Sequence, residues 1–531
     1  MKKLTVLFLA GLLILALGAT ASAQAPKLEF RASGFIDAQT FYGRNVPQYM
    51  TASALYGQVN GAFTIPAALA PIFGTGSGKG GPGFNKYDAH WESRAHLKFD
   101  ALMGPNLSGT IFFEIDTGRW GSVENNYPGG GREANNFGGW STDRASVEVK
   151  NIYIDVGLPY FGIPVPINVR VGAQPIGVRP AMLVYTDGMG VTAGLKIDPV
   201  LIAPIYAKPL EGPSDFEADD VDVYGLHANA KLGTFTVGGY GLRYQMNSYP
   251  FFVTAPTGIA GFPAALNPAV AGTNKAHMWW WGAYVDGKAG PLNINFDFVY
   301  DYGSVEQGNG FSGARHVSYQ GWATRAKVDY PWEKFNFGAV GMYASGSDTR
   351  STSTTGLPGS ATNLGQPSRR VSGYVVPPGS EQDTGNNESI VVYGTDAGAT
   401  GGIGIAKNAN YAQVNRGGFG GTWFAKLYGS VKATPWWKIT FQGLYIGDTT
   451  KHGNTLGNAI KPGSTLLRDD KDVGWELDLI NEFQIYNNLK FIFGYGYLWA
   501  GDALDFRRGT SLTNFSPKNP WAVRTRLQYT F

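Results

Sequence analysis

The stretch Leu292–Asp301, LNINFDFVYD, alternates in character along its length. Leu292, Ile294, Phe296, Phe298 and Tyr300 are apolar, and Asn293, Asn295, Asp297 and Asp301 stand between them. Successive side chains of a β-strand point to opposite faces, so this is a strand with one greasy face and one wet face. The same pattern runs through AHWESRAHLKFDA (89–101), through VGWELDLINEFQI (473–485) and through the final WAVRTRLQYTF (521–531). Length decides where such strands belong. Strands of soluble sandwiches run about 5 to 6 residues, whereas a tilted strand crossing a bilayer needs roughly 9 to 11. These runs are about 10 to 13 residues long, with Trp or Tyr near the ends of their apolar faces, where an interfacial girdle of aromatics would lie. Backbone groups in lipid have no water to bind, so such a sheet must close on itself. The expectation is an all-β chain forming a transmembrane antiparallel β-barrel.

The amino-terminal segment MKKLTVLFLAGLLILALGATASAQAP has a basic start at Lys2 and Lys3, an apolar run over 4–17, and the small-x-small pattern Ala21-Ser22-Ala23. It reads as a secretory signal peptide over residues 1–23, leaving 24–531 as one barrel domain. No later stretch approaches 18 consecutive apolar residues, so helical spans are excluded. Cysteine is absent, which removes disulfides, thiolate nucleophiles and Cys-based metal sites. Net charge falls from +3 to +1 once the leader is removed. That balance argues against a nucleic-acid partner. Aromatics reach 14% and Gly totals 74, while charged residues are only 16%, against about 25% in ordinary soluble domains.

Connections alternate in length. Short ones fall near 103–106, 158–164, 198–200, 232–234, 288–291, 330–334, 433–437 and 486–488. Between them lie longer ones near 43–88, 119–142, 175–189, 209–220, 246–276, 304–316, 346–416, 449–472 and 501–520. Eight short turns and nine long loops separate eighteen strands, with both termini on the short-turn side, as an outer-membrane barrel requires. The strands near 165–174, 190–208 and 221–245 are weakly patterned, so counts of sixteen or twenty also fit.

With its leader, its alternating strands and a last strand carrying Tyr529 and Phe531, the chain resembles the bacterial outer-membrane β-barrel porins. In that superfamily the terminal aromatic strand is an assembly signal read by the barrel-assembly machinery, a role the resemblance implies for Tyr529 and Phe531. The stretch KDVGWELDLINEFQIYNNLKFIFGYGYLWAGDAL (471–504) resembles the penultimate hairpin of the alginate-export family, whose barrels have eighteen strands. That family implies a strongly basic lumen for a polyanion, and here the sequence departs from it.

Both signs face inward on the strand pattern. The pore-lining candidates are Arg94, Lys98, Glu114, Asp116, Arg170, Arg325, Lys327, Glu476, Asp478, Glu482, Arg524 and Arg526. Each individual charge reads more readily as wall, solvating the lumen and locking neighbouring strands, than as a selectivity element. If the last strand closes on the first, Arg524 and Arg526 lie near Glu29 and Asp37, with Glu476 and Asp478 two strands away. The loop 175–189 is short enough to dip into the pore, with Arg179 and Asp187 as constriction candidates. The loop 346–416, rich in Gly, Ser and Thr and containing Arg369 and Arg370, reads as external, with an inward-folding constriction as the alternative. The loop 43–88 fits a lid or an oligomer contact equally well.

Catalytic signals fail. In GTGSGKGG, Phe73 stands where a phosphate loop needs its first Gly, and Gly80 where it needs Ser or Thr. His90 and His96 share a face but lie about 20 Å apart along a strand, too far to hold one metal. The acidic stretches 214–222 and 468–472 have oxygens for Ca²⁺, but solvated loops are the simpler reading, so no cofactor is expected. The chain is read as a channel, not an enzyme, passing small hydrophilic solutes across the outer membrane of a Gram-negative-type bacterium. A polysaccharide exporter or uptake channel, a sheath for an electron-transfer or periplasmic partner, and a soluble secreted β-enzyme are the alternatives. Outer-membrane lipid is the expected surrounding, and a homotrimer is an open alternative to a monomer.

Overall fold

The computed structural model describes residues 27–45, 87–116, 147–158, 166–210, 220–247, 275–306, 316–348, 350, 370–378, 380, 388–394, 419–457, 459–464, 466–507 and 513–531. The leader and most of the loop 43–88 lie outside the described residues. Eighteen long strands make the wall: β1 (Leu28–Arg44), β2 (Tyr87–Met103), β3 (Leu107–Asp116), β4 (Glu148–Leu158), β5 (Ile167–Val178), β6 (Val184–Ile197), β7 (Val200–Leu210), β8 (Val221–Leu232), β9 (Phe235–Met246), β10 (Lys275–Ala289), β11 (Leu292–Glu306), β12 (His316–Trp332), β13 (Phe335–Ala344), β14 (Thr422–Thr434), β15 (Trp437–Asp448), β16 (Asp472–Tyr486), β17 (Leu489–Ala500) and β18 (Trp521–Thr530).

Each strand pairs antiparallel with its neighbours in sequence. The last strand returns to the first, with Phe35 opposite Thr530 and Arg44 opposite Trp521. Phe531 continues the seam. Its N–H donates to the Gly34 carbonyl (3.1 Å), and the Gly34 N–H donates to the Phe531 carbonyl (2.9 Å). The wall thereby closes on itself, which is the condition for a sheet surrounded by lipid. The weakly patterned region resolves into β5 to β9, and the count of eighteen holds. One loop is shorter than expected: β5 and β6 run into 175–189, leaving only residues 179–183 as the connection.

Register fixes which side chains face out. Phe296, Phe298 and Tyr302 on β11 are exposed, whereas Asp297, Val299 and Asp301 between them are buried. Exposed aromatics gather in two belts. Trp91, Tyr302, Trp322, Tyr343, Trp475 and Trp499 lie toward the long-loop end, and Tyr330, Trp332, Phe337 and Tyr486 toward the short-turn end. This is the distribution of a bilayer-facing surface. Among the described residues no helix is long and apolar enough to cross a membrane.

The buried apolar core lies inside the barrel, toward the long-loop end, around Trp280, Tyr244, Tyr319, Tyr374, Phe419 and Phe424. Two tyrosines lie flat on glycines of the adjoining strand. A Cβ at Gly238 would sit 2.4 Å from the Tyr284 ring, and one at Gly282 would sit 2.1 Å from the Tyr240 ring. Only glycine permits that approach, which lays both rings along the wall.

Candidate functional site: the lumen and the segments that enter it

The inner face divides into two walls. On β1 to β5 and β18, charges are matched side chain to side chain. Arg526 meets the buried Asp37 at 2.5 Å, and Arg524 donates to Gln39. Glu114 gathers three side-chain nitrogens, with Lys150 at 2.6 Å, His96 at 3.2 Å and Arg94 at 3.7 Å. Asp116 stands opposite Arg94 in the strand register. Lys98 pairs with Asp100 at 3.0 Å. Arg170 pairs with Asp155 at 2.7 Å, and its guanidinium lies over the Tyr153 ring. Opposite charges on adjacent inward positions offset one another's desolvation, so this wall is locally self-sufficient.

Across the lumen, on β10 to β16, several partners come from loops. Arg179, at the tip between β5 and β6, pairs with Asp286 (2.6 Å) and Asp297 (2.5 Å) while lying over the Tyr284 ring. The backbone at Arg179 has φ 45, a left-handed conformation uncommon for a side-chain-bearing residue. Asp187 is elsewhere, bound by Asn151 (2.6 Å) and Lys150 (3.2 Å) of β4. The two constriction candidates therefore serve different partners, and Arg179 is the one that reaches across to β10 and β11.

Two described stretches of the loop read as external enter the barrel, a correction to that reading in favour of its inward alternative. Residues 371–377 and 388–393 are mostly buried. The Val375 N–H donates to Asp301 (3.2 Å), Trp280 Nε1 donates to the Val375 carbonyl (2.9 Å), and the Tyr374 hydroxyl donates to the Met182 carbonyl. Further along, Glu388 is gripped by Arg325 (2.6 Å) and by Lys426. Burial pushes the Glu388 carboxyl up, but Lys426 and Arg325 more than offset this and hold it below its usual range. Next to it the polarity reverses. The N–H groups of Val391 (2.5 Å) and Val392 (3.0 Å) and the Ser389 hydroxyl (2.8 Å) donate to Glu476, and the Ile390 N–H donates to Asp478 (3.1 Å). Gln442 bridges the two halves, donating to the Glu388 carbonyl (3.0 Å) and to Asp478 (2.8 Å). Apolar residues flanking these groups, Ile390, Val391, Val392 and Tyr393, are buried with them. The composition of the loop hid this, because its Gly, Ser and Thr residues are equally suited to solvent and to close packing.

Three sequence placements are thereby revised. Glu476 and Asp478 face inward two strands from β18, but the entering segment covers them. Arg325 holds that segment and does not line an open channel. Glu29 is not near the seam arginines: it pairs with Arg31 at 2.7 Å, at a level where β1 pairs only with β2. The remaining candidates lie lower. Lys327 pairs with Asp329 (3.3 Å), and Glu482 with Lys438 (2.6 Å) and Lys490 (3.8 Å). Sequence reasoning passed over a group there. Lys196, Lys231, Lys288, Lys432, Lys438 and Lys490 all occupy inward register positions near the short turns. The alternation that found Arg524 would have found them. In the two acidic loops, Asp220 pairs with Lys208 and Asp222 accepts from Tyr206, while Asp469 and Asp470 pair with Lys471 and Arg468.

No protein-family model matches the chain, and no curated protein is similar to it in sequence. Among solved structures it is similar to Acinetobacter baumannii OccAB3, at 10% identity and a TM-score of 0.48 over 94% of this chain and 99% of that one. It is also similar to Acinetobacter baumannii OccAB4, at 8% identity and 0.47 over 96% and 100%, and to Pseudomonas aeruginosa OpdQ, at 8% and 0.46 over 94% and 98%. Likenesses this distant carry no argument about what the chain transports. The barrel itself rests on its closed hydrogen-bonded register.

Proposed function

We propose that the chain is an outer-membrane porin through which small hydrophilic solutes diffuse passively, a channel and not an enzyme. The observation that carries this reading is the inversion of polarity across one closed wall. Exposed Trp, Tyr and Phe belt the outside, and ion pairs and lysines line the inside. Such a wall is stable only with lipid outside and water within. Passage is narrowed by the segment 388–393, held by Lys426 and Glu476 in the long-loop halves of their strands, and by Arg179, which reaches Asp286 and Asp297 nearer the short turns. Placement in the outer membrane follows from the same reading, with assembly guided by Tyr529 and Phe531.

The test is reconstitution of the mature barrel in a planar bilayer. Discrete conductance steps are expected, with a reversal potential in a salt gradient set by the fixed charges. A properly folded barrel that never conducts would overturn the proposal. Because Arg526 already faces the Asp37 carboxylate, Arg524→Gln with Arg526→Gln should shift the reversal potential toward cations only modestly.

A further inference from the structure

The wall has a notch at its long-loop rim, on the lipid side. β12 runs 17 residues and β13 only 10, so their ladder stops at Ala323 opposite Ala344. Above that point, β12 is joined instead by Arg370 and Val371, lying parallel to Ser318 and Tyr319. The chain leaving β13 turns aside, with the Lys451 N–H bonded to the Ser347 carbonyl (2.9 Å) and Asp348 bridged to Lys451. The returning segment dives inward at Tyr374 and Val375. Between the departing and returning segments lies a cavity of about 500 Å³.

Its lining has two characters. The floor is Tyr300, Trp322 and Tyr343, all on outward register positions, with the Trp322 and Tyr343 rings stacked at 4.9 Å. This floor is continuous with the exposed belt through Phe298, whose ring lies 6.3 Å from Trp322. The roof is polar: Arg370, bonded to Gln320 at 2.5 Å, the exposed Lys451, and hydroxyls of Ser345, Ser372 and Thr449. Asp348 also lines it, but is matched by Arg350 (3.3 Å) and bonded to the His452 ring (2.9 Å), so with Arg370 and Lys451 the roof is net positive. A second outer groove, about 400 Å³ around Val328, Tyr330, Phe337 and Leu427, has no charged lining residue.

We infer that the rim notch seats a phosphorylated lipid of the outer leaflet. This rests on the outer-membrane reading above, since the site needs lipid against the wall. Aromatic rings at the interface pack against acyl chains and sugar, while Arg and Lys one layer higher meet phosphate oxygens. A solute of the lumen would not use this site, because its floor belongs to the outer face. A zwitterionic lipid would leave the net positive roof unmatched.

The test uses the full mature barrel in detergent, with bound lipid counted by native mass spectrometry. Diphosphoryl lipid A is the probe, and dioleoylphosphatidylcholine and inorganic phosphate are the comparison arms. The wild-type barrel should retain one diphosphoryl lipid, and Arg370→Gln with Lys451→Gln should weaken retention by at least about tenfold. Lys451→Gln alone, on an exposed side chain, should weaken it severalfold with the heat-modifiable gel mobility of the folded barrel intact. Equal retention by wild-type and variants would overturn the inference. So would retention of phosphatidylcholine at equal strength, or displacement of the lipid by equimolar inorganic phosphate. Bilayer conductance of the variants should match wild-type. A barrel that binds the lipid but never conducts would overturn the channel reading and leave this site standing.

Discussion

The two inner walls meet the same difficulty, charge in a confined space, in opposite ways. The β1–β5 and β18 wall matches side chain to side chain across one strand gap, as in Arg526 with Asp37. The β10–β16 wall leaves several of its charges to a segment threaded in from a distant loop: Arg325 waits for Glu388, 63 residues on, and Glu476 for backbone N–H groups 84 and 85 residues before it and the Ser389 hydroxyl 87 before it. The first arrangement can form as soon as the strands pair. The second requires the barrel to exist before the loop can dock, so it is a separable element, and separability is what experiments can probe.

The largest expected effect is on the docked segment. Glu388→Ala leaves Lys426 and Arg325 buried together without their acid, and breaking a buried ionic cluster in this way costs about 3–5 kcal/mol. The urea midpoint of the refolded barrel should fall, and conductance should rise and become noisier as the segment loosens. If stability falls with conductance unchanged, the segment does not narrow the passage. Arg526→Met is next. It strands a buried Asp37 at a cost of about 3 kcal/mol, but within the wall, so the midpoint should fall while the conductance of folded channels stays near wild-type. A large conductance change there would erase the distinction between the walls.

Acid should separate them further. The Glu388 carboxyl is held below its usual range by Lys426 and Arg325. A depressed carboxylate contributes stability that is fully present above its unfolded value and is lost as pH falls through the folded value. Conductance should therefore stay flat from neutral pH through about 4.3, where a free glutamate is half protonated, and rise only below that. A rise beginning near pH 6 would count against the Glu388 latch. Smallest of all is Arg170→Met. Its pair with Asp155 is about one-third exposed on both sides, so about 0–1 kcal/mol is expected. A greater loss in urea unfolding would mean that even the half-exposed ladder is cooperative.

The strands were legible in the sequence because one physical rule, period two, acts on every residue of a wall with lipid on one side and water on the other. Asp297 and Glu476 could thus be assigned inward without any knowledge of partners. Glu388 could not. It sits in a stretch without periodicity, and its fate depends on Arg325 and Lys426, which no local pattern connects to it. Arg179 falls between these cases. A short loop next to strands suggested an inward tip, but only the folded barrel sets it against Asp286 and Asp297 and sends Asp187 to another strand.

The tyrosines laid against glycine have a consequence for aperture. Tyr240 and Tyr284 take up little of the cross-section because Gly238 and Gly282 leave room for them to lie flat. A single methyl group at either glycine would swing a phenol into the passage. The gauge of the conduit is thus governed in part by two atoms that are missing from its wall.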